Sequence, residues 1–247
     1  MKKIITVIFM IMSWYGYAQN MFIENKFTLG LGMQFADPQE GLKEIKYNRG
    51  IGPQISLLTP CYPELSWLNV QFGAQMDFAN MGWKTYRDIE LSADIVGDGR
   101  LRVKNNMYGL FAKTRINLGA YDASFKPYID LMFGHRHFST GSVLILNRPK
   151  RNPDYEKKDY TNRIVFTRMM HYGAGIGFCT LNEEHVIFEF GVSYTRGGPG
   201  TVLPLKDLSR SPGGDDIDFS KHQRVNTDML GVHIGVRGFI DRSNFGG

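Results

Sequence analysis

Three polar residues, His135, His137 and Ser139, recur at every second position of one stretch. In an extended chain that spacing puts them on one face. A His beside a Ser is the core of nucleophilic acyl transfer: the imidazole takes the hydroxyl proton and the oxygen attacks a carbonyl. The acid that would orient the imidazole has to come from Asp154 or Glu156 in the following segment. The His135-x-His137 spacing also suits two metal ligands on a strand, but no third ligand lies nearby in the sequence. The plainer reading outweighs both: these are polar residues where a strand leaves an apolar layer.

A second constellation is ionic. Asp77, Lys113, Arg115, Asp130, Arg136, Glu189 and Arg237 all fall on the Gly-rich, polar side of alternating segments. Charges on a narrow interior face must pair with one another. Arg115 and Asp130 sit at similar distances from a short turn at 119–125, which predicts that they face each other. Glu189 is within reach of Arg237 or His233 on a neighbouring strand. Such a set is either a gate in a narrow pore or a neutralised plug, and the plug is the stronger expectation. A third group, Arg148, Lys150, Arg151, Lys157 and Lys158, lies among acids in segment 139–163. It suits phosphate groups or an acidic partner, although such runs are more often merely solvated. Asp215, Asp216 and Asp218 lack the spacing of a calcium loop. Cys61 and Cys179 map to one end of the alternating segments, where two free thiols are expected over a disulfide. No metal or cofactor is expected.

Eight elements must position these residues. Period-two alternation runs through 26–35, 50–57, 67–78, 108–118, 128–136, 170–179, 186–195 and 230–237. The first reads Phe27, Leu29, Leu31, Met33 and Phe35 on one side against Thr28, Gly30, Gly32 and Gln34 on the other. The connections at 36–49, 58–66, 79–106, 119–125, 139–163, 180–185 and 196–227 alternate long and short. That alternation predicts an up-and-down meander with its long loops at one rim. Most segments approach the ~9–11 residues of a tilted membrane crossing. The pattern predicts an all-β, eight-stranded antiparallel transmembrane barrel, apolar side outward. In a soluble barrel the faces would be exchanged. Aromatic girdles are expected from Phe27, Trp67 and Phe178 at the short-turn rim. At the long-loop rim the expected set is Phe35, Phe78, Trp83, Tyr108, Phe138 and Tyr194.

Lys2 and Lys3, the apolar run Ile4 to Trp14 and Gly16-Tyr17-Ala18 have the form of a cleaved secretory signal, residues 1–18, ahead of a barrel domain at 19–247. Its loss lowers the formal charge of +5 by two, leaving no argument for nucleic acid. The 247 residues hold 43% hydrophobic and 13% aromatic residues with 28 Gly and 2 Cys, which excludes disulfide-stapled, collagen-like and disordered chains.

Taken together, signal, amphipathic strands and alternating loops from Asn20 to Asp241 resemble the small outer-membrane β-barrel family of Gram-negative bacteria, of the OmpX and OmpA transmembrane-domain type. The final strand, Gly231 to Ile240, is similar to the terminal aromatic strand of such barrels, but here the chain continues to Gly247. The resemblance implies an integral outer-membrane protein without enzymatic activity. Its long loops would bind an envelope protein, a secretion or assembly machine, or lipopolysaccharide. Two alternatives stay open. His137-x-Ser139 is faintly similar to the His-x-Ser element of outer-membrane lipid A deacylases, without the Asn that follows there. The other is a narrow solute pore.

Overall fold

In the computed structural model, the described residues are 27–60, 68–91, 95–119, 124–146, 159–181, 186–208 and 219–240. The signal segment, Cys61, Trp67, Asp154, Glu156, Asp215, Asp216, Asp218 and all five cations of 148–158 lie outside them.

Strands dominate because alternating β-branched, aromatic and glycine residues suit a pleated surface with two unlike faces. The barrel strands are β1 (Phe27–Pro38), β2 (Gly50–Leu58), β3 (Leu68–Leu91), β4 (Ile95–Leu118), β5 (Phe125–Leu146), β6 (Asp159–Leu181), β7 (Ile187–Gly197) and β10 (Met229–Ile240). Helix α1 (Glu40–Glu44) and the short strands β8 (Pro199–Val202) and β9 (Gln223–Asn226) lie between them. The eight strands close in the order β1-β10-β7-β6-β5-β4-β3-β2. Every pairing is antiparallel, and the seam runs from Phe27 opposite Ile240 to Pro38 opposite Met229. Closure gives every strand two neighbours and removes the sheet edges at the level of the ring.

The faces divide as the alternation predicts. Leu31, Met76, Leu110, Phe133, Ile176 and Ile234 are about half exposed or more on the outside. Gln54, Gln75, Lys113, Arg115, Asp130 and Arg237 are buried inside. Glycines on the inner face make room for large side chains: a Cβ on Gly191 would strike the Tyr128 hydroxyl and the His233 ring. Eight strands enclose a space that side chains fill.

The structure corrects the segments 79–106 and 139–163, expected as loops. They are mostly strand: β3 and β4 have 24 residues each, β5 has 22 and β6 has 23. At ~3.3 Å per residue and a tilt of ~40°, 24 residues rise ~60 Å, about twice the ~25 Å apolar band of such barrels. The two hairpins therefore stand well beyond the band. Two causes hid this in the sequence. Above the apolar band the outward face carries polar and charged residues, so the contrast between faces fades. Register shifts also break the phase, at Asn80/Trp83, Tyr86/Ile89 and Thr140/Gly141. Gly82 sits in the first of these at φ +100°, a conformation that suits glycine.

Candidate functional site

The site builds from the inner positions of the barrel. One ionic layer lies towards the short-turn end. Arg115 stands opposite Asp130 in register and donates to both its carboxylate oxygens, from Nε and Nη2, each at 2.8 Å. Arg115 Nη2 also donates to Glu189 at 2.6 Å, and Lys113 Nζ reaches Asp130 at 2.7 Å. Arg237 donates to Glu189 from Nη2 at 2.7 Å and Nε at 3.1 Å, and also to Thr28 and Ser56. His233 Nε2 lies 3.2 Å from Glu189 and 2.8 Å from the Tyr128 hydroxyl. The Arg115 guanidinium stacks 3.6 Å above the Tyr128 ring. Three cations thus meet two carboxylates.

A second layer lies nearer the outer end. Arg136 donates to Asp77 at 3.0 Å and to the Thr195 hydroxyl at 2.7 Å, and sits 5.0 Å from the Phe111 ring. All seven predicted interior charges are buried. Tyr128, Gln75 and Thr28 belong to the same networks; their inward parity was readable, but not which charge each would meet.

Above the ionic layers the barrel mouth is dry. Ala79, Met81, Met107, Phe138 and Met169 point inward and pack with Leu42, Ile45 and Tyr47 of the β1–β2 connection and with Val202. Phe138, expected in the outer aromatic girdle, is instead 1% exposed in this cluster, because its even position shares the inward parity of Arg136. Burial pushes the Tyr47 hydroxyl pKa upward.

A further cluster holds the β7–β10 connection against the projecting hairpins. Leu203, Leu205 and Leu208 pack on Tyr86 and Val103, with Ile164, Val165 and Phe219 beside them. Burying each such side chain contributes roughly 1.5–3 kcal/mol. Hydrogen bonds latch the backbone of this cap. Asn105 donates to Leu203 O at 2.9 Å and Thr167 to Thr201 O at 2.7 Å. Lys84 and Tyr86 both donate to Leu208 O, at 2.7 and 3.0 Å. Burial pushes the Tyr86 pKa up to about 12. Asp228 closes the cap: its carboxylate accepts from Gly197 N at 2.9 Å and from Tyr194 OH at 2.7 Å. In the sequence this stretch is legible only as part of the connection 196–227.

His135, His137 and Ser139 lie on the outward face of β5, half-buried. The His137 ring packs 5.3 Å from Phe166, and its Nδ1 has no hydrogen-bond partner. No hydrogen bond joins His137 to Ser139 among the described residues. Nor do three metal-ligating side chains gather anywhere among them. Cys179 is a free, buried thiol that donates to Lys126 O at 3.6 Å. Phe35, Tyr108 and Tyr194 are exposed at the outer rim of the ring, while Trp83, opposite Lys104 beyond the first register shift, stands further out than expected.

These observations define a class: a closed, antiparallel, up-and-down barrel of eight strands with its apolar face outward and a side-chain-filled interior. No protein-family model matches the chain, and no curated protein matches it. Among solved structures it is similar to the crystal structure of Ail, the attachment invasion locus protein of Yersinia pestis. That match has a TM-score of 0.42 at 11% identity and covers 87% of this chain and 99% of the other. A structure of Ail in complex with the heparin analogue sucrose octasulfate matches with a TM-score of 0.33 at 12% identity, covering 86% and 96%.

Proposed function

We propose that this chain is an integral outer-membrane barrel without catalytic activity, whose projecting hairpins and cap hold a partner outside the membrane. One observation carries the reading. The ring buries charge and exposes aliphatic and aromatic side chains on every strand, an arrangement that is stable only with lipid around it. The interior serves as a neutralised plug, with ion pairs below and a dry cluster above. Among the described residues, the sheet of β3 to β6 with its cap extends beyond the ring as a surface for such a partner. The candidate partners remain an envelope protein, the machinery of secretion or assembly, and lipopolysaccharide. The basic sequence segment from Arg148 to Lys158, which joins β5 to β6, supports an anionic contact.

The experiment is membrane fractionation with gel mobility. The protein is expected to sediment with outer membranes and to run at a different apparent size before and after boiling. A protein that stays in the soluble fraction and shows one mobility would overturn the membrane reading. Crosslinking from the projecting hairpins, followed by purification from membranes, then identifies the partner.

A further inference from the structure

The interior charges do not sum to zero. In the outer layer Arg136 meets Asp77, one charge against one. In the inner layer Lys113, Arg115 and Arg237 share Asp130 and Glu189, three charges against two. Each of these cations touches a carboxylate, so the surplus belongs to the group and to no single residue. His233 can add to the surplus but cannot cancel it. All five side chains are buried, the most exposed at 6%. A surplus charge held away from water keeps its desolvation penalty unless an opposite charge joins it.

The space beside this layer suits an anion. A cavity of about 50 Å³ lies on its short-turn side. One water molecule requires ~10–15 Å³, so a small ion fits with a water or two beside it. The charged side chains on the wall are Arg115, Arg237 and Lys126; among the described residues no carboxylate lines it. Arg115 holds its carboxylates through Nε and Nη2, and its Nη1 makes no hydrogen bond among the described residues. Asn69 gives a second, independent sign. It lines the same cavity, is 1% exposed, and its Oδ1 is buried without a partner. Its amide nitrogen makes no hydrogen bond among the described residues either. The amides next to it are spent: Asn117 donates to Gln71 at 3.1 Å, and Gln71 donates to Thr59 O at 2.9 Å. A buried amide without partners is unfavourable. Half a turn of its plane exchanges the acceptor for two N–H donors, which is what an anion needs.

We propose that the inner layer completes its charge balance with one small monovalent anion, of chloride size, held in this cavity by Arg115, Arg237 and Asn69. The site lies towards the short-turn rim, and Lys126 on its wall attracts anions from that side. The proposal goes beyond the partner reading and does not depend on it, because the interior of the closed ring is the same whatever the hairpins hold.

The test uses the full mature barrel in neutral detergent, titrated with chloride and followed by the line width of the chloride NMR signal. Sulfate holds the ionic strength constant and occupies the exposed cations. The wild type is expected to show a saturable broadening that bromide displaces; no saturable broadening overturns the site. Lys113→Met leaves two charges against two and is expected to bind chloride roughly tenfold more weakly, the effect of one unit charge ~10 Å away at an effective dielectric of ~20. Lys113 is off the cavity wall, so this loss reads charge and not contact. Asn69→Leu removes no hydrogen bond made within the described residues and is expected to fold, yet to lose the saturable signal. Unchanged chloride binding in either variant, with heat-modifiable mobility retained, overturns the proposal. The wild-type titration decides on its own if Lys113→Met does not fold.

Discussion

Glu189 holds Arg115, Arg237, His233 and Tyr128 together through one carboxylate. Replacing it with Ala would leave two guanidiniums facing each other in a space with little water. Breaking a buried pair in this way costs roughly 3–5 kcal/mol, because the remaining charges keep their desolvation penalty. The exposed Arg49–Asp37 pair provides the contrast. Its separation of 2.6 Å is shorter than most of the interior pairs, yet Arg49 is 83% exposed. Exposed pairs contribute ~0–1 kcal/mol, so Asp37→Ala should have little effect. Guanidinium unfolding of both variants in micelles, followed by fluorescence, measures the difference; equal losses would show that burial does not set the energy of the network. The pairing of Arg115 with Asp130 is legible in the sequence, because parity and distance from one short turn together place the two side chains. Tyr128 is less legible, since the two glycines that admit its ring, Gly177 and Gly191, lie on other strands.

At the level of elements, the cap depends on few contacts, and one of them titrates. Tyr86 donates its hydroxyl proton to Leu208 O and has a raised pKa, near 12 against an ordinary value of 10. A raised folded-state pKa means that the neutral phenol stabilises the cap. That contribution is complete below pH 10 and is lost as pH climbs from 10 towards 12. Amide protection in β8 and the segment to Leu208 should fall in that window by more than the base-catalysed rise common to all amides, and Tyr86→Phe should reduce that extra fall. A Tyr86→Phe protein whose exchange rises just as steeply would assign the effect to another group. Lys84 donates to the same carbonyl, so Tyr86→Phe alone should cost about 1 kcal/mol or less. The strands inside the apolar band were legible residue by residue, whereas the upper halves of β3 to β6 were not. Val103 faces a cap that the sequence does not announce as structured, and Lys104 beside it faces outward, so their alternation looks like an ordinary polar loop. The residues that pack the cap, Leu203 to Leu208, are separated from Val103 by about a hundred positions, and no local pattern links them.

For the whole molecule, the question is whether the closed ring conducts. Two barriers stand in series along the axis. The outer is the dry cluster of Met81, Met107, Phe138 and Met169 under the cap, and the inner is the ionic layer around Arg115 and Glu189. A cavity of about 50 Å³ lies on the short-turn side, lined by Asn69, Arg115, Asn117 and Arg237, and one of about 10 Å³ lies at the ionic layer, lined by Gln54, Ser56, Glu189 and His233. The smaller volume holds about one water molecule. The barriers are structurally independent, because the cap leaves and rejoins the barrel at neighbouring points. Thr227 donates to Gly198 O at 3.0 Å, so residues 199–226 can be replaced by a short glycine linker without moving β7 or β10. The variant should keep its heat-modifiable mobility, since all eight barrel pairings remain. In planar bilayers neither wild type nor the shortened protein should show a large steady conductance, because the ionic layer lies below the deletion and its charges are fixed by strands that the deletion does not touch. Combining the deletion with Met107→Ala, Phe138→Ala and Glu189→Ala attacks both barriers and should produce ion flow. A steady conductance from the wild type would refute the plug. Conductance from the deletion alone would assign the seal to the cap and leave the ionic layer as the lining of a pore.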